Sequence, residues 1–452
     1  MNQNIFREYD IRGIVDKDLT DDTVLIIAKA VGTYFKQNGA GKKVAIGRDA
    51  RESSEPFRDA FVKGLHAVGC DVLDVGMVPT PVLYYSVFTV KDVDAGVMIT
   101  GSHNPADYNG FKLLLGKDSL HGSQIQEIKD IALEGEFTGT TDENTAEILD
   151  ILPEYMEYIE NNIKLGERKL KVVVDSGNGI GGIAGVPLYK KMGFDVVELF
   201  TEPDANFPNH HPDPTVEKNL QDAIKAVKET GADLAIAFDG DADRIGVVDE
   251  KGTIIWGDEL MVIYARSILK KMPGATIIGE VKSTQRLYDD IEKNGGKGIM
   301  WKAGHSVIKA KMKETKAAFA GEMSGHIFFA DRWFGFDDAI YSGARLLEIL
   351  TNDDKPLSSY LQDLPQVVST PEIRAEVSDE KKFEIVAKLT EAFKQTNEVI
   401  DIDGARILFE KGWGLVRASN TQPVLVLRFE AQDEASLKEI QTTVENKVKE
   451  LS

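Results

Sequence analysis

The chain has 452 residues, of which 42% are hydrophobic and 28% charged, as in soluble globular proteins of roughly three or four domains. Its formal net charge is -21 and no run of five or more basic residues occurs, so nucleic acid and anionic membranes are poor candidates as partners. The single cysteine, Cys70, excludes an intrachain disulfide, and no apolar run approaches the roughly 20 residues needed to span a bilayer. The chain starts without a basic-then-apolar signal segment, so we expect a cytoplasmic protein.

Predicted strands and helices alternate through residues 1–150. Apolar runs predict strands at 44–46, 72–75 and 97–99, and helical patterns cover 21–36, 57–68 and the segment from Thr80. Ser54 is expected to cap the second helix, with Pro56 just inside it. This alternation predicts a largely parallel sheet with helices on its faces.

A polar loop joins two predicted buried strands within residues 99–112. Glycine, proline and asparagine force turns in it, so Ser102 and His103 are expected on a tight loop at the end of a strand. Ligands bind at this edge of open α/β sheets, and a serine beside a histidine, with Lys112 nearby, fits a nucleophilic hydroxyl. The alternative is a polar loop whose serine and asparagine only cap their own backbone.

The second unit opens with a predicted strand at 171–175 and a segment at 177–182 that matches G-x-G-x-x-G. Such a segment between a strand and a helix can bind a dinucleotide, or it can be a glycine turn that packs the strand against the helix. His210 and His211 follow in a proline-rich loop. Paired histidines can ligate a metal, but no cysteine or third histidine lies nearby in sequence, which favours a solvated or structural loop.

Three aspartates, Asp239, Asp241 and Asp243, follow the predicted strand 234–238. In an extended chain the period of two points all three carboxylates to one side, where their charges repel unless a divalent cation neutralises them. Oxygen ligands favour Mg²⁺, and the adjacent Arg244 would suit a phosphate at the same place. A solvated acidic turn is the alternative. A calcium-binding hand is rejected because Arg244 stands where its loop needs glycine and predicted strands flank the motif.

The third and fourth units each contribute one polar turn. Glu322 and Ser324 are spaced to hold the vicinal hydroxyls of a sugar, and His326 suits proton transfer, although a structural turn is also compatible. After a polar linker at 352–365, the last unit has an antiparallel, α+β character. Its turn at 417–421 combines a guanidinium, hydroxyls and an amide, which makes either an anion cradle or a hydrogen-bonded turn.

Together the four loops supply a nucleophile, a magnesium site, a reader of sugar hydroxyls and a phosphate cradle, which are the components of phosphoryl transfer to a phosphorylated sugar. The same motifs carry a family resemblance. Residues 6–13, 100–105, 239–244, 321–326 and 417–423 match, in the same order, the motifs of the α-D-phosphohexomutase family, specifically its phosphomannomutase/phosphoglucomutase branch. The resemblance spans nearly the whole chain.

The resemblance implies three consecutive α/β domains, with mixed sheets flanked by helices, and a C-terminal α+β domain around a central cleft. We expect the phosphoserine loop in residues 1–150, the magnesium-binding aspartates in 151–252, the sugar-binding loop in 253–366 and the phosphate-binding loop in 367–452. The last domain would close over the sugar and exclude water. The glycine segment in the second unit then becomes a structural turn.

A reaction is implied as well. Phosphorylated Ser102 would donate its phosphoryl group to a hexose monophosphate and then take back the other phosphate of the resulting hexose 1,6-bisphosphate. Ser102, Asp239, Asp241 and Asp243 would surround Mg²⁺, and Lys112, His326 and Arg12 would serve proton transfer. The residues implied to bind substrate are Tyr9, His103, Arg244, Lys282, His305, Glu322, Ser324, Arg417, Ser419, Asn420 and Thr421. Of these, the last four would grip the phosphate that does not react.

The expected substrates are glucose and mannose phosphates, with the bisphosphate as intermediate and activator and with a monomer or dimer as the working form. Met323 favours these sugars, because the phosphoglucosamine branch of the family usually has glutamine there and a thioether cannot hydrogen-bond usefully. The alternatives are a phosphoglucosamine mutase, a Mg²⁺-dependent sugar phosphatase that uses the same serine, and a sugar-phosphate-binding protein without turnover.

Overall fold

Four β-sheets follow one another along the chain in the computed structural model, which describes residues 1–137, 145–419 and 423–451. The first sheet contains β1 (Ile11–Ile14), β2 (Lys43–Arg48), β3 (Asp71–Met77), β4 (Ala95–Ile99), β5 (Tyr108–Leu115), β6 (Asp118–Ser119) and β7 (Glu147–Ile148). Its helices are α1 (Asp21–Gln37), α2 (Ser54–Ala67), α3 (Thr80–Thr89) and α4 (Ser123–Glu134).

The first sheet has the strand order β1-β5-β4-β2-β3-β7, with β6 paired to β5. Strands β4, β2, β3 and β7 run parallel, whereas β5 is antiparallel to both β4 and β1. The predicted parallel arrangement therefore holds for one part of the sheet only. The loop between β4 and β5 is too short for the crossover that a parallel pair needs, so the chain returns antiparallel directly after Ser102.

The start of α2 differs from the prediction by one residue. Ser53 occupies the N-cap position, and Ser54 is the first helical residue. The hydroxyl of Ser54 donates to Oδ1 of Asp49 at 2.5 Å, and it is therefore committed to the loop after β2 rather than to its own helix.

The second and third sheets are also mixed. The second unit comprises α5 (Leu152–Asn162), β8 (Lys171–Asp175), α6 (Gly182–Lys191), β9 (Asp195–Leu199), α7 (Gln221–Thr230), β10 (Leu234–Phe238), β11 (Ile245–Asp249) and β12 (Ile254–Ile255). The third comprises α8 (Gly257–Lys271), β13 (Thr276–Glu280), α9 (Gln285–Lys293), β14 (Lys297–Trp301), α10 (His305–Thr315), β15 (Phe319–Gly321), β16 (Ile327–Phe329) and α11 (Ala339–Thr351). Their strand orders are β12-β11-β10-β8-β9 and β14-β13-β15-β16.

The fourth sheet is antiparallel in the pairings that the structure describes. It contains β17 (Val368–Ser369), β18 (Ile373–Glu376), β19 (Val399–Ile400), β20 (Ala405–Phe409), β21 (Gly412–Ala418) and β22 (Val424–Ala431), covered by α12 (Asp379–Phe393) and α13 (Glu434–Leu451). Gly404, with φ of 87°, lies in the turn between β19 and β20.

Hydrophobic packing joins the first three units and leaves the fourth more independent. One core extends from Tyr84 and Tyr85 in α3, through Tyr155 in α5, to Trp333 and Phe336 in the third unit. The fourth unit has its own core between its sheet and its two helices. Among the described residues, a small apolar cluster centred on Val281, Trp413 and Leu415 packs it against the third unit. None of the helices in the described part of the chain has the length and apolar character that crossing a membrane requires.

Candidate active site

Ser102 lies buried between β4 and β5 in a left-handed backbone conformation, with φ of 49°. Its Oγ donates to Oδ2 of Asp239 at 2.8 Å and lies 3.1 Å from Nδ1 of His103. Its backbone N–H donates to Oγ1 of Thr100 at 2.8 Å. Positive φ at a non-glycine residue costs on the order of 1–3 kcal/mol and persists only where the surroundings hold it.

Arg51 provides that support, and the sequence analysis missed it. Its buried guanidinium donates, at 2.5 to 2.9 Å, to four carbonyl oxygens of the serine loop, those of Ser102, Asn104, Pro105 and Tyr108. Nε lies 3.3 Å from Oδ2 of Asp49, which also accepts the N–H of Gly101 at 3.1 Å. Asp49 and Arg51 follow β2, and Ser102 follows β4, its parallel neighbour. Because the ends of parallel strands meet at one sheet edge, the sequence could have indicated that these residues lie close together.

The three aspartates converge, but not in the way that the alternation of a strand predicts. Residues 239–243 form a tight turn in which Ala242 has φ of 59°. Oδ1 of Asp239 accepts the backbone N–H groups of Asp243 and Arg244 at 3.1 Å each and thereby holds the turn. The three carboxylates therefore cluster as predicted, but the backbone that carries them is a turn and not the predicted extended segment.

Lys112 projects from β5 into this cluster. Nζ donates to Oδ2 of Asp241 at 2.6 Å and makes a short contact with Oδ2 of Asp243. Thr80, at the start of α3, donates to Oδ2 of Asp241 at 2.5 Å. Burial opposes the charge on Lys112, but the two carboxylates outweigh it and hold its pKa well above its ordinary value.

The remaining carboxylate oxygens fit a divalent cation. Oδ1 of Asp241 and Oδ1 of Asp243 are buried and have no hydrogen-bond partner among the described residues. One ligand atom from each of the three aspartates lies within 4.8 Å of the others. Burial, reinforced by the charges of Asp243 and Asp241, raises the pKa of Asp239 well above its ordinary value. A hard cation would relieve this repulsion, so the triad can hold a metal ion.

His326 connects the aspartate turn to the third unit. Arg244 donates from Nε to Nε2 of His326 at 2.9 Å. Nδ1 of His326 lies 3.0 Å from Oδ2 of Asp337 and 3.6 Å from Oδ1 of Asp243. The His305 ring stacks on that of His326 with centroids 5.3 Å apart. Asp337, completely buried, is a second residue that the sequence analysis missed, and no local pattern marks it.

The turn with the predicted sugar-binding residues is well defined. Oε1 of Glu322 accepts the N–H of Gly304 at 2.7 Å, and the Glu322 N–H donates to the carbonyl of His326 at 2.9 Å. Ser324 is half-buried on the same turn. Met323 directs its Sδ to within 2.6 Å of a guanidinium nitrogen of Arg428, so its side chain packs on the fourth unit.

Basic residues from the third and fourth units face the other end of the site. Nζ of Lys282 lies 3.3 Å from Oε2 of Glu372, and Arg417 pairs with Asp403 at 2.9 Å. Asp403 also accepts the N–H of Ala303 at 3.0 Å. Ser419 is buried, whereas Asn420 and Thr421 lie outside the described residues.

The first unit reaches the same region through its N-terminal strand. Tyr9 donates its hydroxyl to the carbonyl of Ala303 at 3.0 Å, and its ring lies 6.0 Å from that of His305. Arg12 donates to Oδ1 of Asn104 at 2.9 Å, on the serine loop. The predicted residues that the structure describes are thus brought into one region by contacts between all four units.

The glycine segment and the paired histidines have structural roles. A Cβ at Gly182 would lie 2.2 Å from the carbonyl oxygen of Thr201, so this glycine permits close packing of the chain. His210 contacts both carboxylate oxygens of Asp175 at 3.0 Å, and Nε2 of His211 contacts the carbonyl of His103. The histidine loop therefore covers the serine loop, which favours the structural interpretation over metal ligation.

Comparison with known proteins accounts for the whole arrangement. Residues 3–139, 153–252 and 256–368 match phosphoglucomutase/phosphomannomutase alpha/beta/alpha domains I, II and III, and residues 372–447 match the C-terminal domain. The phosphomannomutase/phosphoglucomutase of Pseudomonas aeruginosa is 48% identical over 447 residues, which cover 99% of this chain and 96% of the relative. The phosphoglucomutase of Neisseria gonorrhoeae is 47% identical over 444 residues, or 98% of this chain and 96% of the relative.

A solved structure shows the same fold. The crystal structure of a phosphoglucomutase/phosphomannomutase family protein from Burkholderia thailandensis superimposes with a TM-score of 0.94 and 44% identity, covering 100% of this chain and 98% of that one. Because all four domain families match in order, the chain belongs to the phosphoglucomutase/phosphomannomutase family of isomerases.

Proposed function

We propose that this enzyme interconverts the 1-phosphate and 6-phosphate of a hexose, mannose, glucose or both, through phosphorylated Ser102 and a hexose 1,6-bisphosphate. Sugar phosphates are the substrates that its family implies. The observation that carries the proposal is the 2.8 Å hydrogen bond between Oγ of Ser102 and Asp239, beside two aspartates with unpartnered carboxylate oxygens. A serine that exchanges a phosphoryl group needs this combination of a buried hydroxyl and a cation site.

Ser102, as phosphoserine, together with Asp239, Asp241 and Asp243 would hold Mg²⁺. The bound ion would neutralise the phosphoryl oxygens and stabilise charge on the departing serine oxygen. The all-oxygen donor set supports Mg²⁺ over zinc or copper. Lys112, which now pairs with two of these carboxylates, would turn its charge towards the phosphoryl group once a cation takes its place.

We assign the other residues by the family motifs and, where the structure describes them, by their position. Arg417, Ser419, Asn420 and Thr421 would grip the phosphate that does not react, with Lys282 and Tyr9 beside them. Glu322 and Ser324 would hold the sugar hydroxyls, and His103, Arg244 and His305 would complete the binding surface. His326 and Lys112 would serve proton transfer, helped by Arg12. A lysine held in its charged form has no lone pair, so the raised pKa of Lys112 supports a proton donor and not a base.

Water must be excluded, because a phosphoserine open to water would be hydrolysed and the enzyme would be a phosphatase. The fourth unit carries Arg417 and Ser419, has its own core and meets the third unit through a small apolar cluster. This construction supports a domain that opens for the sugar phosphate and closes over it.

The decisive experiment is intact mass with peptide mapping, before and after incubation with glucose 1,6-bisphosphate and Mg²⁺. One phosphoryl group should appear on Ser102, and S102A should neither gain it nor interconvert sugar phosphates. EDTA should abolish turnover, and added Mg²⁺ should restore it. A phosphatase would instead release inorganic phosphate stoichiometrically and show no need for the bisphosphate. A binding protein would show no phosphoserine turnover.

Sugar preference is tested separately, by comparing kcat/KM for the 1-phosphates of glucose, mannose and glucosamine. We expect glucose and mannose to be preferred, with Met323 excluding a useful contact to an amino group. Because Met323 packs on Arg428, its effect would come through the shape of the turn. A clear preference for glucosamine phosphate would make the enzyme a phosphoglucosamine mutase. The domain boundaries, the monomer or dimer and the cytoplasmic location stay predictions.

A further inference from the structure

The hydrogen bonds of His326 define which ring nitrogen carries its proton. Nε2 accepts from Nε of Arg244 at 2.9 Å. An arginine N–H can only donate, so Nε2 of a neutral imidazole must present its lone pair and the hydrogen must be on Nδ1. Nδ1 lies 3.0 Å from Oδ2 of Asp337 and 3.6 Å from Oδ1 of Asp243, and these three buried atoms have no other hydrogen-bond partner among the described residues.

Asp337 is held rigidly behind the ring. It is completely buried, and Oδ1 accepts from Nζ of Lys309 at 2.9 Å, which leaves Oδ2 for His326. The ring of His305 stacks on a face of the His326 ring with an interplanar angle of 26°. The backbone of His326 is fixed as well, because it bridges that of Arg244. Asp337, held by Lys309, therefore fixes the Nδ1 edge of the ring, while Arg244 lies at the Nε2 edge.

We propose that Asp337 is a positioning residue that keeps His326 in the Nδ1–H tautomer, so that Nε2 presents its lone pair to the sugar hydroxyl that attacks the phosphoserine. The proposal rests on the function proposed above. A bound sugar phosphate would draw the guanidinium of Arg244 away from Nε2, and the hydroxyl would take its place. The carboxylate of Asp337 would then contact the imidazole of His326, which in turn would contact the sugar hydroxyl. A carboxylate orients a general-base histidine in this way in other enzymes.

The step balances as follows. The hydroxyl proton moves to Nε2 while the sugar oxygen forms its bond to phosphorus. The bond from phosphorus to Oγ of Ser102 breaks, and its electron pair stays on the serine oxygen at the acidic triad. In the return step the serine oxygen attacks the other phosphate of the bisphosphate, and the sugar oxygen that departs takes the proton back from Nε2. One histidine thus acts as base and then as acid within a cycle.

The test substitutes Asp337→Asn, with Asp338→Asn as the matched control. Asp338 is equally buried and adjacent, but it caps α11 and contacts Tyr155 and Tyr341 rather than His326. An asparagine at 337 can donate its amide N–H to Nδ1 and so favours the Nε2–H tautomer. We expect D337N to lose about 100-fold or more in kcat with KM changed by less than about threefold, and D338N to keep kcat within about twofold.

A direct readout is the histidine ring spectrum of the Mg²⁺-loaded enzyme saturated with a hexose phosphate, the state in which Arg244 no longer donates to Nε2. In ¹⁵N-histidine-labelled protein, the His326 signals, identified by their loss in H326Q, should show protonated Nδ1 in wild type and protonated Nε2 in D337N. An unchanged tautomer, or equal loss of kcat in D337N and D338N, would overturn the proposal. If D337N unfolds because Lys309 loses its counter-charge, D337N/K309Q removes that charge too and should show the same kcat loss.

The two proposals fail separately. If wild type turns over through phosphorylated Ser102 and D337N matches it in kcat, the role of Asp337 is wrong and the proposed function stands. If wild type forms no phosphoserine, the proposed function fails, while the tautomer measurement still decides whether Asp337 controls the His326 ring.

Discussion

Buried charges at the site neutralise one another in specific pairs. Lys112 faces Asp241 and Asp243, and Lys309 faces Asp337. Burial and the charges of Asp243 and Asp241 raise the pKa of Asp239 more than Arg244 and Lys112 lower it. Removing one member of such a pair leaves an uncompensated buried charge and costs about 3–5 kcal/mol. Loss of activity in any of these variants must therefore be measured together with stability.

Arg51 offers a test of loop positioning. A lysine keeps the charge but has a single nitrogen, so it cannot reach the four carbonyl oxygens that the guanidinium holds. We expect R51K to lower kcat by about tenfold or more, with little change in KM, because Ser102 moves relative to Asp239. Steady-state kinetics and the rate of Ser102 labelling by the bisphosphate measure this.

The matched control for that variant is Arg58→Lys. Arg58 lies nearby in α2, with 26% of its side chain exposed and Asp59 and Asp74 as its partners. It should keep wild-type kcat. Equal rates of labelling in wild type and R51K would show that the four carbonyl contacts do not position Ser102.

Turns, more than helices or strands, decide how close the site elements approach. A Cβ at Gly240 would lie 2.2 Å from the carbonyl oxygen of Ser102, so only glycine lets the aspartate turn contact the serine loop. G240A should separate Ser102 from Asp239 and reduce kcat by more than about tenfold. The matched control is G298A in β14. A Cβ at Gly298 would make ordinary contacts, the nearest at 3.4 Å, so kcat should not change. Similar kcat in the two variants would contradict the argument.

The N-cap of α11 makes stability depend on pH. Burial raises the pKa of Asp338 to about 7, despite hydrogen bonds from Tyr341 and Tyr155. A carboxyl whose folded pKa lies above its unfolded value binds more protons in the folded state between those two values. Its contribution to stability is therefore full at low pH and is lost as pH rises from about 4 to about 7.

The variant D338N removes that titration. The free energy of unfolding of D338N minus that of wild type should rise by roughly 2–3 kcal/mol from pH 5 to pH 8, because only wild type loses stability over this range. The altered hydrogen bonds add an offset that does not depend on pH. Urea unfolding at several pH values measures it. Parallel curves for the two proteins would mean that the pKa of Asp338 is not raised.

At the scale of the whole molecule, a buried arginine helps to attach the fourth unit to the third. Arg406, which is completely buried, donates to the carbonyls of Val281 and Ser283 at 2.7 and 2.8 Å and stacks 3.7 Å over the ring of Trp413. These contacts join the fourth unit to the segment that carries Lys282. We expect them to set how firmly Arg417 and Ser419 are held against the rest of the site.

Arg406→Met should therefore loosen the closed arrangement. The fraction of molecules competent to bind falls, so KM for the hexose phosphate should rise several-fold, while kcat at saturation falls less. Limited proteolysis should cut faster near residues 352–372, between the units. K438M changes an exposed residue on α13 of the same unit and should leave KM and the rate of proteolysis unchanged. A fall in kcat alone would place Arg406 in the chemistry and not in the closure.

Local patterns in the sequence were sufficient for much of this protein. Glycine, proline and alternating apolar residues predict most elements and the loops with Ser102, Asp239–Asp243 and Glu322, because turn chemistry and apolar periodicity are short-range effects. Motif order was enough to recognise the family. The extended aspartate segment and the N-cap at Ser54 were wrong, because side-chain hydrogen bonds within the same loops, from Asp243 to Asp239 and from Ser54 to Asp49, outweighed the local preference.

Only the tertiary structure decided what surrounds those loops. Arg51 holds a loop some 50 positions away in sequence, and Asp337 orients a histidine that belongs to another turn. Asp239 meets Ser102 across 137 positions. Such contacts arise where sheet edges from different units meet, and the pairing of buried charges across them depends on distances that no single stretch of sequence encodes. The identity of the reacting groups is thus local, and their orientation is a property of the assembled fold.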